Sequence, residues 1–285
     1  MRHRFTATAD GRLDKIIADH TSLSRKRATK IIEAGNVRVN GKRTKFASSH
    51  VATGASVEIG SAAANDPSVV ITTRHQDASL LVVDKPHGLP TQATKEGSRT
   101  HLYGILCAQH RYVGLHHRLD TPASGLVLFT LDRRANKAIA NAFQTHAIER
   151  TYQLVVVGDP GVSGSWTTPI AGKPATTHFK RLAMGGGMAL VEANLETGRT
   201  HQIRVHAAAA GHPIVGDRRH GGAAGKLWKR LALHACRLVL THPISGVPLT
   251  VSSPTPQDLE DLWSKVGLQC SPTTEAEETS RDPQS

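Results

Sequence analysis

Residues 116–130 read HHRLDTPASGLVLFT, and the interpretation of the larger part of the chain starts from this stretch. Asp120 stands between a polar cluster and an apolar run, Leu126 to Phe129, that predicts a buried strand. The residues after Asp120 are typical of a turn. An aspartate at a strand border is commonly a turn former or a cap. Arg118, two positions earlier, favours the alternative of a catalytic carboxylate.

Two further motifs flank this stretch along the chain. Residues 79–92, SLLVVDKPHGLPTQ, predict a buried strand that enters a loop rich in proline and glycine. Residues 147–158 read AIERTYQLVVVG, and helical spacing before them predicts a helix over about residues 132–146. A strand is expected from Tyr152 to Gly158. The ring of Tyr152 is either part of the core, with its hydroxyl anchored, or a surface for stacking on a substrate.

The fourth motif, LETGRTHQIRVHAAAAGHPIVGD, covers residues 195–217. Its alternation over residues 200–206 predicts a strand with Ile203 and Val205 on one face and Arg204 on the other. An arginine among apolar neighbours needs a carboxylate partner, and we predict that Asp120 is the partner of Arg204. The alternative is an interior ion pair without a catalytic role.

The chain has 17 histidines, so a metal site has to be considered. On the predicted strand, His201 and His206 would point to opposite faces, since their numbers differ by an odd count. The chain has no HExxH motif, and its cysteines and histidines do not follow zinc-module spacing. We therefore predict no metal site.

The first segment, residues 11–60, is short and basic. Leu13, Ile16 and Ile17 predict one amphipathic helix, and a second begins near Ser22 or Ser24 and ends at Gly35. The next residues, NVRVNGK, predict a hairpin with an Asn-Gly turn. The cations of this segment, called the basic surface below, are Arg25, Lys26, Arg27, Lys30, Arg38 and Lys42. Most such charge runs are simply solvated, but closely spaced cations repel one another unless an anion neutralises them.

Composition narrows the function classes. Lys and Arg total 35 against 23 Asp and Glu, a formal charge of +12 that favours nucleic acid as partner. Three scattered cysteines favour neither a disulfide framework nor a thiolate zinc site and fit a reducing compartment. No apolar run reaches the about 20 residues of a membrane span, and the first residues do not resemble a secretory signal. We therefore expect a cytoplasmic protein without membrane contact.

Taken together, HRLDTPASGL, DKPHGLP, RTYQLVVVG and TGRTHQIRVH…GHPIVGD resemble the RluA-type pseudouridine synthases, and so does ALHACRLVLTHPISGVPL at residues 232–249. The segment SRKRATKIIEAGNVRVNGK resembles the S4-type RNA-binding domain, and this resemblance implies that the basic surface binds RNA phosphates. The predicted organisation is an S4-type domain at 11–60, a linker at 61–67, a catalytic domain at 68–267 and a disordered tail at 268–285. The resemblance implies an α+β fold: a mixed, largely antiparallel central sheet with flanking helices and a cleft, preceded by a small α/β RNA-binding domain.

The resemblance also implies an activity: isomerisation of uridine in RNA to pseudouridine, without a cofactor. By motif, Asp120 is the catalytic aspartate, and Arg118 enters the RNA stack where the target base leaves. Tyr152 packs on that base and assists loss of its C5 proton, and Arg204 pairs with Asp120 and would lower its pKa. Asp120 either adds to the sugar or removes a proton to give a glycal-like intermediate. Two positions depart from the family pattern: Ala123, where a hydroxyl residue is usual, and Arg150, where lysine is common.

Two other functions remain open from the sequence. One is a catalytically silent RNA-binding or ribosome-assembly factor, and the other is a metal-dependent hydrolase of RNA. For the leading function we expect ribosomal RNA as substrate, with transfer RNA as the alternative, and a monomeric enzyme.

Overall fold

A computed structural model describes residues 3–21, 23–33, 35–59, 69–94 and 100–268 of the chain. The predicted linker at 61–67, residues 269–285 of the predicted tail, and Ser22 lie outside the described residues. The chain forms two compact units. Unit 1 comprises residues 1–148 and 238–253, and unit 2 comprises residues 149–237 and 254–285.

The N-terminal part of unit 1 has eight short elements around its own apolar core. They are β1 (His3–Thr6), β2 (Gly11–Arg12), α1 (Leu13–His20), α2 (Arg25–Glu33), β3 (Val37–Val39), β4 (Lys42–Thr44), β5 (His50–Val51) and β6 (Ser56–Ile59). One sheet has the order β1-β6-β3-β4, and β2 pairs with β5. The core includes Leu13, Ile17, Ala28 and Ile32, which are fully buried because the apolar faces of α1 and α2 meet there.

The cap residues of α2 and the Asn-Gly turn have the structures predicted from the sequence. The Ser24 hydroxyl accepts a hydrogen bond from the Arg27 N–H, so Ser24 caps α2, and Gly35 follows that helix with φ of +70°. Asn40 and Gly41 both have positive φ, as the tight turn between β3 and β4 requires. The strands β1, β2, β5 and β6 were not predicted. Of these, β1 precedes residue 11 and pairs antiparallel with β6.

The remainder of unit 1 is built on strands that run through its core. Its elements are β7 (Thr72–Gln76), β8 (Leu80–Lys85), α3 (Leu102–Gln109), β9 (Gly114–Leu115), β10 (Ser124–Thr130) and α4 (Arg133–Gln144). The strand β8 lies between β7 and β10, and all three pair antiparallel. Alternate residues of β8 and β10 pack with Ile139 of α4. Asp132 caps the N-terminus of this helix.

Unit 2 contains a second group of long strands. Its elements are β11 (Glu149–Val157), β12 (Ser163–Trp166), β13 (Thr177–Gly185), β14 (Met188–Leu195), α5 (Gln202–Ala209) and α6 (Gln257–Lys265). The order is β12-β13-β14-β11, with antiparallel pairing throughout. Two further strands are β15 (Leu233–Thr241), whose residues divide between the units after Arg237, and β16 (Pro248–Ser252) of unit 1. The α+β class is confirmed, and the expected cleft stays a prediction.

The predicted strand over residues 200–206 is wrong, because α5 occupies that segment. Gln202, Ile203, Arg204 and His206 are all buried in α5, so the alternation of polar and apolar residues does not mark the two faces of a strand. Ala207 to Ala210 favour a helix, and Gly211 follows with φ of +84°, the conformation of a helix terminus. His201 and His206 therefore do not lie on opposite faces of a strand: His201 precedes α5 and His206 belongs to it.

Candidate active site

Asp120 is half-buried at the start of a tight turn, in which the Ala123 N–H donates to the Asp120 carbonyl at 3.1 Å. The residue before it, Leu119, is held by one side chain from both sides. The Thr91 hydroxyl donates to the Leu119 carbonyl at 2.8 Å and accepts from the Leu119 N–H at 3.1 Å. The backbone that carries the carboxylate is therefore fixed by hydrogen bonds on both sides of Asp120.

Lys85 fastens the same loop from inside the protein. Its side chain is fully buried, and its ammonium donates to the carbonyl oxygens of Ala123 at 2.6 Å and Leu89 at 2.8 Å. It also lies 3.0 Å from the Pro86 carbonyl and 3.4 Å from that of Thr121. A buried cation is tolerated only when such partners compensate for lost hydration. Lys85 thus connects the loop after β8 with the turn after Asp120.

Ala123, which departs from the family pattern, is buried, and its carbonyl oxygen accepts the hydrogen bond from Lys85 at 2.6 Å. Arg118 is exposed, two residues before Asp120 on the same loop. The histidine before it, His117, accepts a hydrogen bond from the Leu128 N–H of β10 at 2.8 Å. Arg118 therefore extends to solvent from a segment that is anchored on both sides.

Tyr152 and Arg204 both belong to unit 2. Tyr152 lies on β11, opposite Ala193 of β14, and its side chain is almost fully buried. Arg204 is buried on α5 and forms a two-pronged ion pair with Asp217. Its Nε lies 2.8 Å from one carboxylate oxygen and its Nη2 2.7 Å from the other. The prediction that Arg204 requires a buried carboxylate is met by Asp217, and its pairing with Asp120 stays a prediction.

Asp217 is itself held in the ionised form. Burial would raise its pKa, but hydrogen bonds from Arg204 and from the backbone N–H groups of His220 and Arg219 outweigh burial and lower it below 3.8. The carboxylate therefore fixes the orientation of the Arg204 guanidinium. Asp217 was not identified as a site residue from the sequence. Its one sign there was an aspartate at the end of the same motif, GHPIVGD.

Other residues of the fourth motif anchor α5. Gln202 accepts from the Thr197 hydroxyl and donates to the Thr176 carbonyl, and His206 contacts the Thr177 hydroxyl at 2.9 Å. Arg150 replaces the more common lysine, and its guanidinium reaches the Thr197 carbonyl at 3.3 Å. The motif thus uses its polar residues chiefly to position the helix that carries Arg204.

The histidines give no metal centre in the part of the chain that the structure describes. His201 and His220 contact each other, with ring nitrogens 2.9 Å apart. Across residues 3–268, apart from the gaps named above, no group of three or more His, Cys, Asp or Glu residues is arranged to hold a metal ion. In the same part, no helix is long and apolar enough to cross a membrane.

The basic surface lies on the N-terminal part of unit 1. All six side chains, Arg25, Lys26, Arg27, Lys30, Arg38 and Lys42, are exposed. One is already paired: the Arg25 guanidinium lies 3.0 Å from the carboxylate of Asp14. Arg12 binds the same carboxylate, and with Arg25 it lowers the pKa of Asp14 to about 2 against the effect of burial. The carboxylate of Asp14 thus neutralises part of the repulsion between Arg25 and its neighbouring cations.

Two motif residues were missed as parts of the site, Lys85 and Thr91. Both stood in the quoted stretch 79–92, but a lysine after a strand and a threonine in a loop carry no local sign of burial. The partners Ala123 of Lys85 and Leu119 of Thr91 lie 38 and 28 residues away in the chain, so only the tertiary structure identifies them.

Comparison with known proteins agrees with this geometry. Residues 79–209 match the family model described as RNA pseudouridylate synthase, and residues 11–57 match the S4 domain. An uncharacterized RNA pseudouridine synthase, YhcT of Bacillus subtilis, is 33% identical over 210 residues, covering 66% of this chain and 69% of that protein. Ribosomal large subunit pseudouridine synthase D of Yersinia pestis is 31% identical over 88% of this chain and 89% of its own length.

Among solved structures, human RNA pseudouridylate synthase domain containing 4 is similar in fold, with a TM-score of 0.58 and 23% identity. The match covers 70% of this chain and 94% of that one. Fold and relatives together define an RNA-modifying enzyme with an S4 domain in front. The chain belongs to the RNA pseudouridine synthases, isomerases that convert uridine in RNA to pseudouridine.

Proposed function

We propose that Asp120 acts on the C1′–N1 bond of a uridine in ribosomal RNA, with Arg118, Tyr152 and Arg204 in supporting roles. One observation carries the assignment. The half-buried carboxylate stands on a turn whose flanking backbone is held by Thr91 and by the buried Lys85. Such rigid placement is what a group needs to act on one bond of a bound substrate.

The reaction conserves all atoms of the substrate. A stacked uracil is out of reach, so it must leave the helix, at a cost of a few kcal/mol. Arg118 is exposed beside Asp120 and fills the vacated space. Asp120 then promotes cleavage of the C1′–N1 bond, either by adding to the sugar or by removing a sugar proton, which it later returns. The detached uracil turns and its C5 forms a bond with C1′. Where Asp120 had added to the sugar, the bond between its carboxylate oxygen and C1′ breaks in this step.

The product requires loss of the C5 proton and gain of a proton at N1. We propose that Tyr152 assists the first of these steps, since its ring is held on β11 with little exposure. Arg204 is proposed to pair with Asp120, the carboxylate predicted for it from the sequence. Its two-pronged ion pair with Asp217 holds the guanidinium in one orientation.

Ribosomal RNA is proposed as the substrate because the full-length relatives from Yersinia pestis and Neisseria meningitidis are named ribosomal large subunit pseudouridine synthase D. Transfer RNA is the alternative. We further propose that residues 11–60 form an RNA-binding domain and 68–267 the catalytic domain, in line with family matches at 11–57 and 79–209. A cytoplasmic location and a monomeric state stay predictions.

The decisive experiment is Asp120→Asn. This variant keeps size and turn-forming ability but cannot act as a carboxylate, so pseudouridine formation on ribosomal RNA transcripts should fall at least a thousandfold. The Kd for the same RNA should change less than threefold. Glu149→Gln, on a neighbouring motif, serves as the matched control and should keep activity. Full activity of Asp120→Asn would contradict the assignment. If the natural chain binds the RNA but forms no pseudouridine, the alternative of a catalytically silent binding factor is favoured.

A further inference from the structure

Unit 2 has an open groove that the isomerisation mechanism does not use. Its volume is about 630 Å³, and it is lined by residues between 218 and 229. Three of the lining side chains are cationic, Arg218, Lys226 and Lys229, and two are apolar, Leu227 and Trp228. All three cations are exposed, and Leu227 has 47% of its surface accessible. The groove thus combines positive charge with an apolar platform.

The groove is a built feature and not a loose loop. The segment that forms it closes on itself, since the Ala232 N–H donates to the Val215 carbonyl at 2.9 Å. Gly225 packs against Asp217 so closely that a Cβ there would lie 2.7 Å from the Asp217 carbonyl oxygen. The floor of the groove is therefore attached to the residue that orients Arg204.

Within the described part of the chain, no carboxylate compensates the charge of the groove. Among the described residues, none lies within 4 Å of the cationic groups of Arg218, Lys226 or Lys229, whereas the neighbouring Arg230 is paired with Asp258 at 2.7 Å. Exposed cations held together without counter-charges favour a polyanion. In an enzyme that acts on RNA, the polyanion at hand is the substrate itself.

Trp228 gives the groove its second property. The ammonium groups of Lys229 and Lys265 each lie 5.6 Å from the centre of its ring. Its indole Nε1 is buried and has no hydrogen-bond partner in the part of the chain that the structure describes. A tryptophan surrounded by cations on flexible stems suits a nucleotide, because the base can stack on the ring while the ammonium groups turn to the phosphate.

We propose that this groove binds an unpaired nucleotide of the RNA substrate, at a position other than the target uridine. The base stacks on Trp228, and the phosphate contacts Arg218, Lys226 and Lys229. Stacking of this kind accepts any base, so the groove adds affinity and fixes the path of the strand without specifying sequence. The inference rests on the proposed function only in that the bound strand belongs to the RNA that Asp120 modifies.

Fluorescence tests the stacking directly. The chain has three tryptophans, so the full-length variant Trp166→Phe with Trp263→Phe leaves Trp228 as the only one. Titration with an adenosine oligonucleotide should quench its emission at least twofold. An oligonucleotide of equal charge that lacks bases should quench far less. Equal quenching by both, or by neither, would overturn the proposal.

Kinetics provide a second test that does not depend on those substitutions. Trp228→Ala in the otherwise natural chain should raise KM for structured RNA about tenfold and leave kcat within twofold. Val162→Ala, at an exposed apolar position of unit 2 that does not line the groove, is the control and should change KM less than twofold. An unchanged KM for Trp228→Ala would also overturn the proposal. If an oligonucleotide quenches Trp228 but the natural chain modifies no RNA, nucleotide binding in the groove is supported and the proposed catalytic role of Asp120 is contradicted.

Discussion

At the scale of residues, one hydroxyl and one ammonium hold the catalytic loop. Thr91 uses its hydroxyl both as donor and as acceptor toward Leu119, and Lys85 collects carbonyl oxygens from two loops. Neither side chain performs chemistry in the proposed mechanism. They act as positioning residues, because a carboxylate displaced by about 1 Å can lose a hundredfold in rate.

Thr91→Val tests this positioning. Valine has nearly the shape of threonine but leaves the buried N–H and carbonyl of Leu119 without their partner, so the free energy of unfolding should drop by about 1–3 kcal/mol. We expect kcat to fall at least tenfold with a smaller change in KM. Thr91→Ser keeps the hydroxyl and should restore most of kcat. Denaturant unfolding and steady-state kinetics measure both effects, and equal kcat values for the valine and serine variants would argue against the role.

At the scale of elements, α5 shows how a helix can imitate a strand. Polar and apolar residues alternate from Gln202 to Val205, yet the polar ones are buried by hydrogen bonds to Thr176, Thr177 and Asp217. Hydrophobic periodicity assumes that polar side chains face solvent, and this assumption fails in a motif built for function. By contrast α2 is read correctly, since its cations face solvent and its Ala28 and Ile32 are buried.

The cations of α2 give a prediction about salt. Lys26→Ala, Arg27→Ala and Lys30→Ala combined should weaken RNA binding and reduce the slope of log Kd against log salt concentration by about 2, since each phosphate contact contributes about 0.7–0.9. Arg25 is left in place because it binds Asp14 and serves folding. The combination of Lys173→Ala, Lys180→Ala and Arg237→Ala, at three exposed positions in unit 2, is the charge-matched control. An unchanged slope would remove α2 from the RNA interface.

The ion pairs that join Arg12 and Arg25 to Asp14 make stability depend on acid. The pKa of Asp14 is about 2 in the folded protein against an ordinary value of 3.8, so its ionised form is favoured by folding. A depressed pKa contributes stability that is complete above about pH 4 and is lost as the pH falls toward about 2.

Asp14→Asn should therefore be less stable than the natural chain by a constant amount between about pH 7 and about pH 5. The difference should shrink between about pH 4 and about pH 2. Urea unfolding at several pH values measures it. Asp19→Asn, an exposed position on the same helix, is the control and should show little difference at any pH. A gap for Asp14→Asn that widens in acid would contradict the assigned pKa.

At the scale of the whole molecule, the division into units differs from the division by family models. The S4 match and the first part of the pseudouridine synthase match share unit 1, while β15 contributes Leu233–Arg237 to unit 2 and Leu238–Thr241 to unit 1. Asp120 stands in unit 1, and Tyr152 and Arg204 stand in unit 2. The net charge of +12 suits an enzyme whose substrate is a large polyanion.

Deleting the gene tests the substrate class. Pseudouridine mapping of total RNA should show at least one site in ribosomal RNA that disappears in the deletion strain and returns with the natural chain. Complementation with Asp120→Asn should not restore it. Loss confined to transfer RNA would replace ribosomal RNA as the proposed substrate while leaving the activity intact.

The family, the Asn-Gly hairpin, the caps of α2, the helix α4 and the buried strands β8 and β10 all follow from the sequence alone. Each of these depends on neighbours in the chain, where spacing and side-chain type suffice. The contacts of the folded chain were needed to show that Asp217 holds Arg204, that Lys85 and Thr91 hold the Asp120 loop, and that residues 202–209 are helical. A buried polar group is stable only beside its partner, and these partners come from other parts of the chain.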